Sequence, residues 1–156
     1  IKQQNIYHIK KHISSNSINV SAQEQKHFTN FKNILKEWGN GCFFLKIDIE
    51  GNEYDILDDI IDIQKNMSVM VIEFHSCNLM SNNIRNFIEK LDLDLVHIHI
   101  NNFCSITKDN FPTVLELTFS AKKYNSKRNS DEFHFPNKDI DQPNNKYEED
   151  KEIVFY

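Results

Sequence analysis

The chain has 156 residues, 39% of them hydrophobic and 26% charged, with a formal charge of -5 at pH 7. That balance fits one globular domain with a real core, the negative charge disfavours a nucleic-acid partner, and no apolar run nears the ~20 residues of a membrane helix. The three cysteines, Cys42, Cys77 and Cys104, are odd in number and set in apolar surroundings. With no signal-peptide pattern, they read as reduced thiols of a cytoplasmic protein rather than a disulfide framework or a zinc site. The first residue is Ile1 and not Met, which we read as the start of an excerpt from a longer chain.

Residues 1–20 are polar and aperiodic, with a weak extended patch near Ile18 to Val20. A helix is expected next. Ser21 and Glu24 have capping-box spacing, Phe28, Phe31, Ile34, Leu35 and Trp38 recur at helical intervals, and Gly39 supplies a left-handed stop. Cys42 to Ile49 reads as a buried strand bounded by Gly41 and Gly51. Asn52 to Gln64 reads as a helix with Ile56, Leu57, Ile60 and Ile61 on its apolar stripe, and Ser68 to Phe74 as a second buried strand. Leu79 to Leu91 is the third helix, Leu93 to Ile100 the third strand and Thr113 to Ala121 the fourth.

After Lys122 the composition changes abruptly to Asn, Asp, Lys and Pro, so residues 1–122 form the expected domain and 123–156 a polar, extended arm. The acidic run Glu148-Glu149-Asp150 reads as solvated tail. Strand–helix–strand–helix–strand predicts an α/β domain whose first three strands are parallel. Too few residues separate the third and fourth strands for a helix, so the fourth is expected to run antiparallel beside the third.

In open α/β sheets, ligands bind outside the carboxyl ends of the strands. Here those ends read Asp48-Ile49-Glu50-Gly51, then Glu73-Phe74-His75, then His97-Ile98-His99-Ile100-Asn101-Asn102. Three successive strands therefore end in carboxylate, imidazole or carboxamide groups, a repetition that points to one site. A carboxylate such as Glu73 in an apolar strand demands a partner or a function, because burying it alone is expensive.

The segment Leu45-Lys46-Ile47-Asp48-Ile49-Glu50-Gly51-Asn52-Glu53, with Leu57, resembles the signature of FkbM-type methyltransferases. Val71 to His75 is similar to the next strand of that family, and His97 to Asn102 with Pro112 to Phe119 to its two closing strands. The resemblance covers roughly residues 40–122. It implies the C-terminal part of a Rossmann-like methyltransferase sheet, mostly parallel, with an antiparallel last strand inserted. It further implies S-adenosylmethionine as cofactor and methyl transfer to a hydroxyl, often on a sugar. The family's glycine-rich cofactor turn has no counterpart here. The only Gly-x-Gly, Gly39-Asn40-Gly41, follows a helix and precedes a strand, which is the reverse of the required order. The cofactor-binding residues are therefore unassigned.

Methyl transfer from a sulfonium is an in-line displacement, and a hydroxyl acceptor must be aligned and lose its proton. Asp48 is the candidate for orienting the acceptor, with Glu50, Glu73 and His75 as candidate bases. His99, Asn101 and Asn102 are candidates for acceptor binding. Lys46 and Glu53 read as an ion pair or as solvated charges, and Asp48 has a competing role as a cap for the helix near Asn52. The expected partner is a small-molecule or glycan acceptor. Self-association through an exposed sheet edge is also expected. Two alternatives stand beside this reading. One is a non-catalytic fragment that keeps the acceptor half. The other is a small metal-binding protein using His75, His97, His99 and Glu73, since His97 and His99 share one face of a strand; the preferred reading has no metal.

Overall fold

The computed structural model describes residues 11–15, 21, 27–39, 41–125 and 135–153. The chain divides into two compact units, residues 1–40 and 41–156.

In the first unit, β1 (His12–Ile13) pairs in parallel with β2 (Phe28–Thr29), and α1 spans Phe31–Trp38. The helix starts later than the sequence pattern predicts. Asn30, in extended conformation, is the N-cap, its side chain accepting from the Asn33 amide at 2.9 Å. Phe28 is therefore a strand residue. Ser21 is not in a helix, and Glu24 and the Ile18 to Val20 patch lie outside the described residues. Gly39 ends the helix as expected, with φ at 92° and its N–H donating to the Leu35 carbonyl.

The second unit is built on a four-stranded sheet. Its strands are β3 (Phe43–Ile47), β4 (Met67–His75), β5 (Leu93–Ile100) and β6 (Val114–Ala121), in the order β3-β4-β6-β5. β3 and β4 are parallel, and β6 runs antiparallel to both β4 and β5. The first three strands thus share one direction, and the last is inserted between the second and third. That insertion removes one premise of the metal alternative, because β4 and β5 are not neighbours.

Between the strands lie α2 (Leu57–Ile63) and α3 (Cys77–Lys90). The helix expected from Asn52 to Gln64 is α-helical only in its centre. Glu53–Ile56 and Gln64–Asn66 are tighter 3-10 turns. Helical periodicity does not distinguish the two geometries over a single turn.

Strand alternation gives the sheet two unlike faces. Ile72, Leu117 and Ile98 form one lateral row, and Phe74, Leu115 and Ile100 another. This apolar face carries the core. The Phe87 ring of α3 meets Phe74 and Phe119 edge-on, at centroid distances of 6.1 and 6.3 Å. Each such contact adds about 1 kcal/mol to the burial itself. On the opposite face a polar row crosses three strands, with His99 beside Glu116 and Glu116 beside Glu73. Lys46 lies on that face too, its Nζ 3.3 Å from Glu116.

The polar C-terminal stretch is not a solvated tail where it is described. Residues 135–153 belong to the second unit and are tied to β5 and the loop after it. His97 Nε2 lies 2.7 Å from Asp141, and His99 Nε2 lies 3.2 Å from Asp150. The Asn102 carboxamide, 1% exposed, accepts from the Asn145 amide at 2.6 Å and donates to the Asn145 and Glu148 carbonyls. Lys151 donates to the carbonyls of Asn102 and Cys104. Composition alone hides this docking because its partners are backbone groups and the histidines of β5, His97 half-buried and His99 buried. Among the described residues no helix is long and apolar enough to cross a membrane.

Candidate functional site

Alternation along β3 and β4 puts Lys46 and Asp48, then Glu73 and His75, toward the polar face, while Ile47, Ile72 and Phe74 enter the core. Near the carboxyl ends of these parallel strands, Asp48, Glu73 and His75 converge, with one potential ligand atom from each lying within 4.8 Å of the others. Asp48 is exposed and has no hydrogen bond or ion pair among the described residues. Glu73 is 8% exposed, and one of its oxygens accepts from the Asn101 side chain at 2.7 Å. Asn101 in turn accepts from the Phe103 amide, which fixes its orientation.

The turn after β3 positions the next two groups. Glu50 and Gly51 have positive φ values of 55° and 103°. Glycine takes this conformation freely, whereas a glutamate there is strained by roughly 1–2 kcal/mol. What holds the turn is Glu53. Its carboxylate is completely buried and accepts from the amides of Ile49 and Gly51 at 3.1–3.2 Å. The same carboxylate lies 3.1 Å from His75 Nδ1. The other ring nitrogen, Nε2, lies 3.3 Å from Glu50, whose side chain is 85% exposed.

Tyr54 completes the support by donating to the His75 carbonyl at 2.6 Å. Burial, and after it the neighbouring Cys77 and Glu53, push the Tyr54 hydroxyl above its ordinary pKa, so it stays protonated and remains a donor. Ser76, with φ at 54°, turns the chain straight from β4 into α3. Strained non-glycine residues at Glu50 and Ser76 therefore flank the cluster, the kind of placement found where a site has to be held in shape.

Of the residues singled out in the sequence, Asp48, Glu50, Glu73, His75 and Asn101 come together. His99 and Asn102 do not, since both engage the C-terminal stretch. His97 is likewise held by Asp141, so the four-residue set of the metal alternative is not assembled. Lys46 pairs with Glu116 rather than with Glu53, and Asp48 does not cap the helix after Asn52. The strand-end rule does not reach Glu53 and Tyr54. A signal for Glu53 exists in its position two residues beyond Gly51, within reach of the free amides of the turn.

The arrangement orients one imidazole and surrounds it with carboxylates. A buried carboxylate on Nδ1 favours the tautomer with its proton there, so that Nε2 can accept a proton once the exposed Glu50 side chain moves off it, the support that a histidine base requires. A cradle for the carboxylate of an adenosyl cofactor needs free amides at a glycine turn. Both positive-φ glycines already use theirs: the Gly51 N–H goes to Glu53 and the Gly39 N–H to Leu35. The described residues thus do not fit that group at either turn.

The family model of the methyltransferase FkbM domain matches residues 4–95, more than half of the chain. No curated protein and no solved structure matches.

Proposed function

The chain belongs to the FkbM methyltransferase family, and from that premise we propose that residues 41–125 bind the acceptor of an S-adenosylmethionine-dependent O-methylation, the acceptor being a carbohydrate or similar hydroxyl compound. The observation that carries this reading is the convergence of Asp48, Glu73 and His75 at the strand ends, with Glu53 holding the imidazole. The family generally uses S-adenosylmethionine, whose sulfonium supplies the methyl group.

The acceptor side is assigned to this chain's own residues. An acceptor hydroxyl enters beside Asp48, whose carboxylate, unpaired among the described residues, accepts a hydrogen bond and fixes the oxygen. His75 Nε2 takes the hydroxyl proton, and the Glu53 carboxylate stabilises the imidazolium that forms. Glu73, steadied by Asn101, accepts from a second hydroxyl of the acceptor. Carboxylates and an imidazole in a row suit a polyol, which offers several hydroxyl donors at once. The chain's net charge of -5 disfavours a polyanionic acceptor.

A second reading is favoured by the turn that Glu53 fills. In that reading the chain binds the acceptor but transfers no methyl group by itself. Calorimetric titration with S-adenosylmethionine, together with a labelled-methyl transfer assay on a panel of methyl glycosides, separates the two. Micromolar cofactor binding with transfer abolished in His75→Ala supports the enzyme. Glycoside binding without cofactor binding supports the second reading. Binding of neither removes both.

A further inference from the structure

Four carboxylates surround one imidazole at the ends of β3 and β4, and among the described residues no lysine or arginine pairs with any of them. Glu50 and Glu53 both engage His75, Glu73 engages Asn101, and Asp48 engages nothing. The nearby cation, Lys46, is taken by Glu116. Glu73 is the telling member. It is 8% exposed, and one neutral amide donor reaches one of its two oxygens. A carboxylate at that depth ordinarily has a counter-charge, and here no lysine or arginine among the described residues provides one.

The geometry points to a divalent cation held by Asp48, Glu73 and His75, on which the acceptor is bound through two adjacent hydroxyl groups. The cation follows from the cluster alone, whereas the diol rests on the acceptor-site reading above. Ligands at about 2.0–2.4 Å from one cation are separated by at most twice that distance, and the candidate atoms here lie within that span, 4.8 Å of one another. Two carboxylate oxygens and an imidazole nitrogen form a mixed donor set suited to an intermediate cation such as Mn2+.

The surroundings match what metal ligands require. A ligating imidazole is normally fixed by a carboxylate on its other nitrogen, and ligating carboxylates are themselves hydrogen-bonded. Glu53 performs the first task through Nδ1, which leaves Nε2 for the cation. Asn101 performs the second on Glu73. Glu50, 85% exposed and now paired with Nε2, would leave it when the cation enters. In the cation-loaded site His75 is a ligand and no longer the base assigned above, and Glu50 takes over as the group that receives the acceptor proton. Three protein ligands leave positions of the cation's coordination shell open to two neighbouring hydroxyl oxygens. That is how the site would prefer a vicinal diol to a simple alcohol.

The test uses the full chain, stripped with a chelator and titrated with Mn2+ while free Mn2+ is read by electron paramagnetic resonance. One Mn2+ per chain is expected, with affinity about tenfold weaker or worse in Asp48→Asn and Glu73→Gln, and unchanged in Asp58→Asn on the exposed side of α2. Asp48 is exposed, so Asp48→Asn remains informative even if Glu73→Gln fails to fold. No saturable binding, or binding that Asp48→Asn leaves intact, overturns the cation site. Ligand-observed NMR with methyl mannoside is then recorded in Mn2+ or in chelator, using Mg2+ in place of Mn2+ where broadening obscures the signal. Binding that requires the cation supports both parts. Saturable Mn2+ binding with no effect on the sugar keeps the cation site and overturns its role toward the acceptor. Sugar bound equally well in chelator, with no cation retained, leaves the acceptor reading standing and removes the cation.

Discussion

The Glu53 carboxylate lies 3.1 Å from Nδ1 of His75 while also accepting the amides of Ile49 and Gly51, so one buried group fixes both a turn and an imidazole. Glu53→Ala would leave those amides and the ring without their fully buried acceptor. We expect a loss of about 3 kcal/mol in urea-monitored stability, the range for buried hydrogen bonds to a charged group. Glu53→Gln keeps one acceptor oxygen and is expected to lose less. A loss below about 1 kcal/mol in Glu53→Ala would mean that water or another side chain replaces the carboxylate.

Burial raises the Cys77 thiol from 9.0 to about 12, and Tyr54 is raised in the same direction from its own higher starting point. Between pH 9 and 12 the folded thiol therefore keeps a proton that the unfolded one has lost. Stability from this group is complete below about pH 9 and falls as the pH rises toward 12. Denaturation midpoints measured across that window should decline, and Cys77→Ala should flatten the decline. At pH 8 a maleimide should label exposed Cys42 quickly and reach Cys77 only on unfolding.

Asn102 sits where the loop after β5 meets residues 145–149, and its carboxamide accepts from the Asn145 amide and donates to the Asn145 and Glu148 carbonyls. Asn102→Ala should cost about 2 kcal/mol. It should also make the C-terminal stretch the first site of limited proteolysis, whereas the wild-type chain is cut there more slowly. Equal cleavage rates would place the strength of this docking on Lys151 and the two histidine–aspartate pairs instead.

β3 closes one end of the four-stranded sheet and carries Phe44, which is 60% exposed. A terminal strand with an exposed aromatic residue is a template for pairing between copies. Light scattering is expected to show self-association that rises with concentration, and Phe44→Lys should reduce it. A monodisperse monomer at high concentration would rule out this edge as a contact.

Much of the second unit is readable from the chain because strand length and apolar content agree for β3, β4, β5 and β6, and glycines bound β3 on both sides. The convergence of Asp48, Glu73 and His75 followed from the strand-end rule, which needs only the direction of each strand. Three things were not readable. The α1 start was missed because Phe28 and Phe31 fit a helical stripe as well as the strand-then-cap that forms, and Asn30 has a short-range effect that periodicity ignores. Glu53 was misassigned because a glutamate flanked by polar residues looks solvated until the turn folds over it. The destinations of His97, His99 and Asn102 were hidden because their partners lie about 40 to 50 positions away in a stretch whose composition resembles disorder.

The insertion of β6 between β4 and β5 also constrains the order of assembly. β4 cannot gain its second neighbour until the chain through Ala121 is available, whereas β5 and β6 are joined by residues 101–113 and can pair as a local hairpin. Local pairings form first and distant ones close later. During synthesis β3 and β4 therefore leave the ribosome with one edge of β4 still unpaired, and this open interval exposes the apolar face that Phe74 and Ile72 later bury. Any change that slows the β5–β6 hairpin, such as one at its small internal turn around Asn110, lengthens that interval and lowers the yield of folded protein without touching a single residue of the site.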